Sequence, residues 1–289
     1  MTIPARKCSN YYMFALSDIY EPITAEPFIN NEAYIEIKPC EELKPYIRCF
    51  WGTIKPHARN TNFQMKSGLV TPDTCMDIIF DIDINNNKLD DLFCGINDTS
   101  FVTKGQRESS TTSCFAIRFY FWAVPLFSDE TMNNALNAFT ETGAYFKNIR
   151  RDFENILIEA SSIQDRIAKA EQYFLKKLNL NRQNNNVMNA VYKIMKSRGT
   201  SSILEISEFG AVSKRQLERL FLEYVGVSPK KLSGLIRYQY LWQDILKDKN
   251  GDMQDFVCKY GYTDQAHLLK DFKKYHTMTP SEAIKLAYR

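Results

Sequence analysis

Lys214, Arg215, Glu218, Arg219 and Leu222 recur in placing 51 residues later as Gln265, Ala266, Leu269, Lys270 and Lys273. Each set keeps the spacing that lines one face of an α-helix. Their types suit the base edges and backbone of a DNA duplex. Arg makes paired hydrogen bonds to guanine, Gln pairs with adenine, Ala meets the thymine methyl, and Lys neutralises phosphate. Glu218 either accepts from cytosine or pairs with Arg215 or Arg219, and the sequence leaves these open. His267 reads as a helix-face residue ahead of a base reader, and it is not a metal-ligand candidate on its own.

Two helices must present these faces, and their other sides are apolar. Leu217, Leu220, Phe221 and Tyr224 form one core face, and Leu268, Phe272 and Tyr275 the other. Ser213 with Gln216 is a capping-box pattern, and Asp264 is its counterpart. In the same register Gly210 falls on Gly261, Leu217 on Leu268, Phe221 on Phe272, Ser228 on Thr279 and Pro229 on Pro280. The glycines suit a turn that needs a permissive backbone, and each hydroxyl before a proline starts one further helix. Helix, short turn and second helix with an exposed basic or amide face is the helix-turn-helix pattern. Leu232 to Lys247 predicts a connecting helix of ~16 residues, ~24 Å long. That length holds two recognition helices near the ~34 Å spacing of successive major grooves.

The charge follows the same division. The net +3 conceals 17 basic against 11 acidic residues in 183–289, while the rest of the chain is slightly acidic. A basic tail on an acidic body predicts two domains and a polyanion partner for the tail.

Ser213-Lys-Arg-Gln-Leu-Glu-Arg-Leu-Phe221, Gly226-Val-Ser-Pro229, Ile236-Arg-Tyr-Gln239, Gly261-Tyr-Thr-Asp-Gln-Ala-His-Leu268, Phe272-Lys-Lys and Thr279-Pro280 resemble the AraC/XylS-type transcription regulators over residues 187–289. Lys44-Pro-Tyr-Ile-Arg-Cys-Phe-Trp51, Thr71-Pro-Asp73, Asp77-Ile-Ile-Phe80, Gly95 and Ile117-Arg-Phe119 resemble the sensor domain of one branch of that family. The resemblance implies a cupin-like β-barrel in front of the reader. Thr277 stands where the family usually has glycine, Ser207 and Val257 where each first helix has alanine, and Leu241 replaces an alanine of the connecting helix. The larger side chains are expected to shift the two units relative to one another. Thr74 stands where the sensor pattern often has glycine.

Residues 33–122 are strand-like in their own right. Tyr34–Ile37, Met76–Ile82 and Cys114–Phe121 are short runs rich in Ile and aromatics, separated by turn clusters at Thr71–Asp73, Asn85–Asn87 and Lys104–Gln106. They predict a β-sandwich or small barrel. Residues 129–140 and 145–160 carry helical spacing. Ile163, Ile167, Ala170, Phe174 and Leu178 line one side of a further amphipathic helix, opened by Ser162 and Asp165, and the Asn-rich 179–186 is the linker candidate. The expected fold is α+β and multidomain. Residues 1–160 form a β-rich, barrel-like sensor, ligand-binding or dimerisation domain with helices. Residues 161–186 form an amphipathic helix and linker, and residues 187–289 an all-α DNA-binding domain with two helix-turn-helix units.

Other chemistries are poorly supplied. A metal centre in a cupin-like barrel needs two or three His, and only His57 lies there. Seven cysteines without a Cys-x-x-Cys pair fit neither a disulfide framework nor a zinc ribbon; Cys8, Cys40, Cys49, Cys75, Cys94 and Cys114 are candidate redox thiols or buried structural ones. No catalytic constellation, metal site or cofactor is expected, and the chain is not read as an enzyme. Arg118, as an anion anchor, with Tyr120 and Trp122 is the candidate effector-contacting group. Cys114 to Phe127, interrupted by Arg118 and Pro125, is too short to cross a bilayer, and no secretory signal is evident, so a cytoplasmic protein is expected. The sequence therefore predicts a sequence-specific DNA-binding transcription regulator with a sensing or dimerising front domain. Its expected partners are double-stranded DNA, a small-molecule effector, a second copy of the chain and RNA polymerase. The rival reading is a small-molecule-binding barrel or enzyme with a helical interaction module.

Overall fold

The computed structural model describes residues 16–26, 34–53, 68–83, 85–102, 112–249 and 251–288. Cys8, His57 and the Lys104–Gln106 turn lie outside them.

Alternation of apolar and polar residues drives the front domain. Strands β2 (Tyr34–Ile37), β3 (Ile47–Thr53), β5 (Cys75–Asp83), β6 (Lys88–Cys94), β8 (Thr112–Tyr120) and β9 (Phe139–Thr140) form one antiparallel sheet in the order β2-β3-β8-β5-β6-β9. β1 (Ala25–Glu26), β4 (Leu69–Val70) and β7 (Phe101–Val102) form a second, three-stranded sheet. Ile78 pairs with Ile117, and Phe80 with Phe115, so one face of the large sheet is apolar. Helices α1 (Ile149–Glu159) and α2 (Ile163–Lys177) cover that face, with Phe153 stacked on Phe80 at 5.3 Å and Phe174 edge-on to Phe119 at 5.3 Å. Ser162 caps α2 by accepting from the Asp165 amide. Among the described residues the strands make two separate sheets and no closed barrel, so the sheet-rich expectation holds while a barrel is not seen among them.

Residues 129–140 are not helical, against their spacing. Asn134 and Asn137 take left-handed backbone conformations, and the Met132 and Asn137 amides bond to Glu223 and Ile96 carbonyls far along the chain. Those long-range bonds override the local pattern.

Behind the sheets the chain is helical: α3 (Asn185–Lys196), α4 (Ile203–Phe209), α5 (Lys214–Tyr224), α6 (Pro229–Lys247), α7 (Met253–Lys259), α8 (Gln265–His276) and α9 (Pro280–Ala287). The Asn-rich stretch gives only a 3-10 turn, Leu180–Arg182, before Asn184 caps α3. α6 is the spine. Its 19 residues span ~28 Å, longer than the sequence suggests because Pro229 opens the helix and Ser228 caps it. Leu241 and Trp242 of the spine are fully buried, as is Val257 of α7 to within 2%.

Candidate nucleic-acid interface

Two carboxylates fasten helices of this domain to the spine. Asp271 of α8 accepts from Arg237 of α6 at 2.8 Å and from the Tyr262 hydroxyl at 2.9 Å. Asp244 of α6 accepts from Arg198, Lys259 and the Tyr260 hydroxyl, joining the end of α3 and the end of α7 to the spine. Burial alone would raise the Asp244 carboxyl; the hydrogen bonds from Lys259 and Tyr260 and the nearby charges outweigh it and hold the group below its ordinary range.

On this frame α5 and α8 present their polar faces. The Ser213 hydroxyl accepts from the Gln216 amide and Asp264 accepts from the His267 amide, so both helices start on a side-chain cap. Leu217, Leu220 and Phe221 bury one side of α5, and Leu268, Phe272, Tyr275 and His276 one side of α8. Lys214, Arg215, Arg219, Gln265, Ala266, Lys270 and Lys273 are consequently exposed. Leu269 differs: it is half-buried and packs against the core, which takes it off the open face. Glu218 is half-buried and makes no ion pair among the described residues, because Arg219 pairs instead with Glu223 at 3.0 Å. Lys214, Arg215, Lys270 and Lys273 also make none there, so their charge remains available to an anion. Ser213, Arg215, Gln216 and Arg219 line an open cavity of about 470 Å³ at the start of α5. Gln216 was legible only as a cap partner, yet its exposed amide stands on the same face.

The turn between first and second helix corrects the expected register. In the second unit Gly261 has φ +64, whereas in the first Gly210 has φ −74 and Ala211 takes the left-handed conformation at φ +53. Val212 donates to the Ser207 carbonyl and Tyr262 to the Val257 carbonyl, closing equivalent helix ends. The first helices and their turns are therefore offset by 50 residues and the recognition helices by 51, the second unit holding one extra residue before its cap. Gly210 serves close approach instead: a Cβ there would lie 3.2 Å from the Asn186 carbonyl oxygen of α3.

The front-domain candidates lie elsewhere. Arg118 is buried and gives its guanidinium to Asp77, at 2.8 and 2.9 Å, to the Thr24 hydroxyl at 3.0 Å and to Glu36 at 3.6 Å. Tyr120 and Trp122 are also buried, stacked on one another at 4.4 Å, with the indole N–H donating to the Pro45 carbonyl. Thr74 adopts φ +65, the conformation glycine would favour, and its hydroxyl is bonded to Tyr20. Burial pushes the Cys49 thiol up to about 11 and raises Cys40, Cys75 and Cys94 as well, which disfavours the reactive thiolate. Among the described residues no cluster of His, Cys, Asp or Glu is arranged to hold a metal, and no helix is long and apolar enough to cross a membrane.

Residues 207–285 match the helix-turn-helix domain family. The carboxy-terminal domain is a helix-turn-helix domain. Residues 35–141 match a domain of unknown function, DUF6597, ahead of this helix-turn-helix domain. An uncharacterised HTH-type transcriptional regulator of Haemophilus influenzae is 28% identical over 80 residues, 28% of this chain and 26% of that protein, all within about a quarter of the relative's length. Among solved structures, ToxT from Vibrio cholerae shows 14% identity and a TM-score of 0.38 over 83% of this chain and 93% of that one. Unsaturated fatty acid bound ToxT from strain SCE256 of the same organism shows 11% identity and a TM-score of 0.37 over 89% and 97%.

Proposed function

We propose that the chain is a sequence-specific DNA-binding transcription regulator whose front domain modulates its helix-turn-helix domain. The observation that carries this reading is the pair of capped helices on one spine, exposing Lys214, Arg215, Gln265, Lys270 and Lys273 with no competing ion pair among the described residues. The basic tail captures the duplex by counterion release, and α5 and α8 enter successive major grooves. A small-molecule effector acting on the front domain belongs to this reading.

Fluorescence anisotropy of the full chain on random duplex across salt concentrations tests it. Affinity should fall with a log-log slope on the order of −4, and no binding at low salt removes the reading. Arg215→Ala should cost about 1–3 kcal/mol on the preferred site and relax one position, because Arg215, unlike Arg219, is not held by a carboxylate. Lys273→Ala should weaken all sequences alike and flatten the slope by about 1.

A further inference from the structure

Each recognition helix ends with carbonyl groups that have no partner inside the helix. In α5 the carbonyl of Glu223, one residue from the end, receives the Met132 amide at 2.8 Å. In α8 the carbonyl of Tyr275, again one residue from the end, receives both the Ser100 amide at 2.9 Å and the Ser100 hydroxyl at 2.7 Å. Both donors belong to the front domain.

The two donor loops are one unit. Gly95 donates to the Ala138 carbonyl and Asn137 to the Ile96 carbonyl, the Asp98 amide donates to the Asn137 side chain, and that side chain returns a bond to the Asp98 carboxylate at 2.9 Å. A Cβ on Gly95 would lie 1.8 Å from the Ala135 carbonyl oxygen, so the loops touch backbone to backbone. The same unit reaches the start of the spine, where Asp98 pairs with Lys231 in the first turn of α6. It also fills the turn between α5 and α6: a Cβ on Gly226, at φ +84, would lie 2.8 Å from both Ala135 Cβ and the Met132 carbonyl oxygen. A single rigid feature of the front domain thus holds the ends of both recognition helices and the start of the helix between them.

We propose that Asp98 and Ser100, with Met132 and Asn137, are positioning residues that set the separation of the two recognition helices, and hence the spacing between sub-sites that the protein selects on DNA. This rests on the DNA-binding reading above. Recognition helices held only by the spine sample a range of separations; helices also held at their ends by one loop unit present a single one. The contribution is to spacing and not to base identity, since the loops grip the helix ends opposite the capped ones that carry Arg215 and Gln265.

The test is selection from duplex libraries in which two sub-sites are separated by a variable number of base pairs, using the full chain, Asp98→Ala, Lys231→Met and the double variant. Wild type should favour one separation by about tenfold over separations two base pairs longer or shorter. Each single variant should reduce that preference to about threefold or less, the double variant should add nothing because one pair is broken in all three, and the bases preferred within each sub-site should not change. Lys231→Met leaves Asp98 and its loop bonds in place, so it keeps the test alive if Asp98→Ala does not fold. Loss of a phosphate contact by Lys231 would lower affinity at every separation equally, and an unchanged spacing profile in folded variants overturns the positioning role. If the wild type binds no duplex at low salt, the DNA-binding reading falls and this proposal with it, an outcome distinct from binding with unchanged spacing.

Discussion

Among the described residues of the front domain and the helix packed on it, Arg118 and Arg166 are buried, and they are partnered in opposite ways. Arg118 faces a carboxylate, Asp77, which burial alone would leave strongly disfavoured as an anion; the guanidinium is held charged by that partner. Arg166 of α2 is fully buried with no carboxylate in ion-pair range among the described residues, and burial lowers it to about 10. It donates to the Ser113 hydroxyl at 3.1 Å and to the Leu157 carbonyl at 2.9 Å, in the last turn of α1, where the helix dipole favours a cation, while its Nε has no hydrogen-bond partner among the described residues. The difference bears on how Arg118 should be tested. Its hydrogen-bonding capacity is spent inside the protein, so Arg118→Ala leaves Asp77 buried and unpaired and should cost about 3–5 kcal/mol in urea unfolding. A variant of wild-type stability that had lost only an effector response would reverse that assignment and return Arg118 to the role of anion anchor.

Helix starts were legible in the sequence and one helix end was not. Ser162, Ser213, Ser228, Asp264 and Thr279 cap the helices they were expected to cap, because a cap is a local hydrogen bond between residues three apart or fewer. The spine and the outward faces of α5 and α8 followed from apolar periodicity for the same reason. Pairing Gly210 with Gly261 failed because one inserted residue ahead of Asp264 changes the offset inside the turn, and a single sequence shows two glycines without showing their φ. The absence of helix at 129–140 was hidden too, since it is decided by partners far along the chain, such as Glu223 for Met132. The turn gives a direct stability test. Ala211→Gly relieves a left-handed alanine and should stabilise by about 0.5–1 kcal/mol, whereas Gly261→Ala, with open space around it but φ +64, should destabilise by about 1 kcal/mol. Equal and negligible shifts in the two urea midpoints would show that the two turns do not differ in this way.

At the scale of the whole molecule the front domain is joined to the spine by buried polar bonds as well as by packing. Gln239 of α6 is fully buried; its carbonyl oxygen accepts from the Ile23 amide at 2.8 Å, and its amino group donates to the Ile23 and Pro72 carbonyls at 2.9 and 2.6 Å. Tyr240 and Gln243 extend the seam, donating to the Ile19 and Glu21 carbonyls. A glutamine so placed matches three backbone groups at once, and no apolar side chain of the same size replaces it. Gln239→Met should therefore strand those groups and cost on the order of 2–4 kcal/mol, with the loss falling on the seam and not on either core. Calorimetry reads where the loss falls. Wild type should unfold with the two domains coupled, and the variant should resolve a separate transition for the front domain below that of the helical domain. One coupled transition at the wild-type temperature would mean that packing, not this hydrogen-bonded seam, joins the two domains.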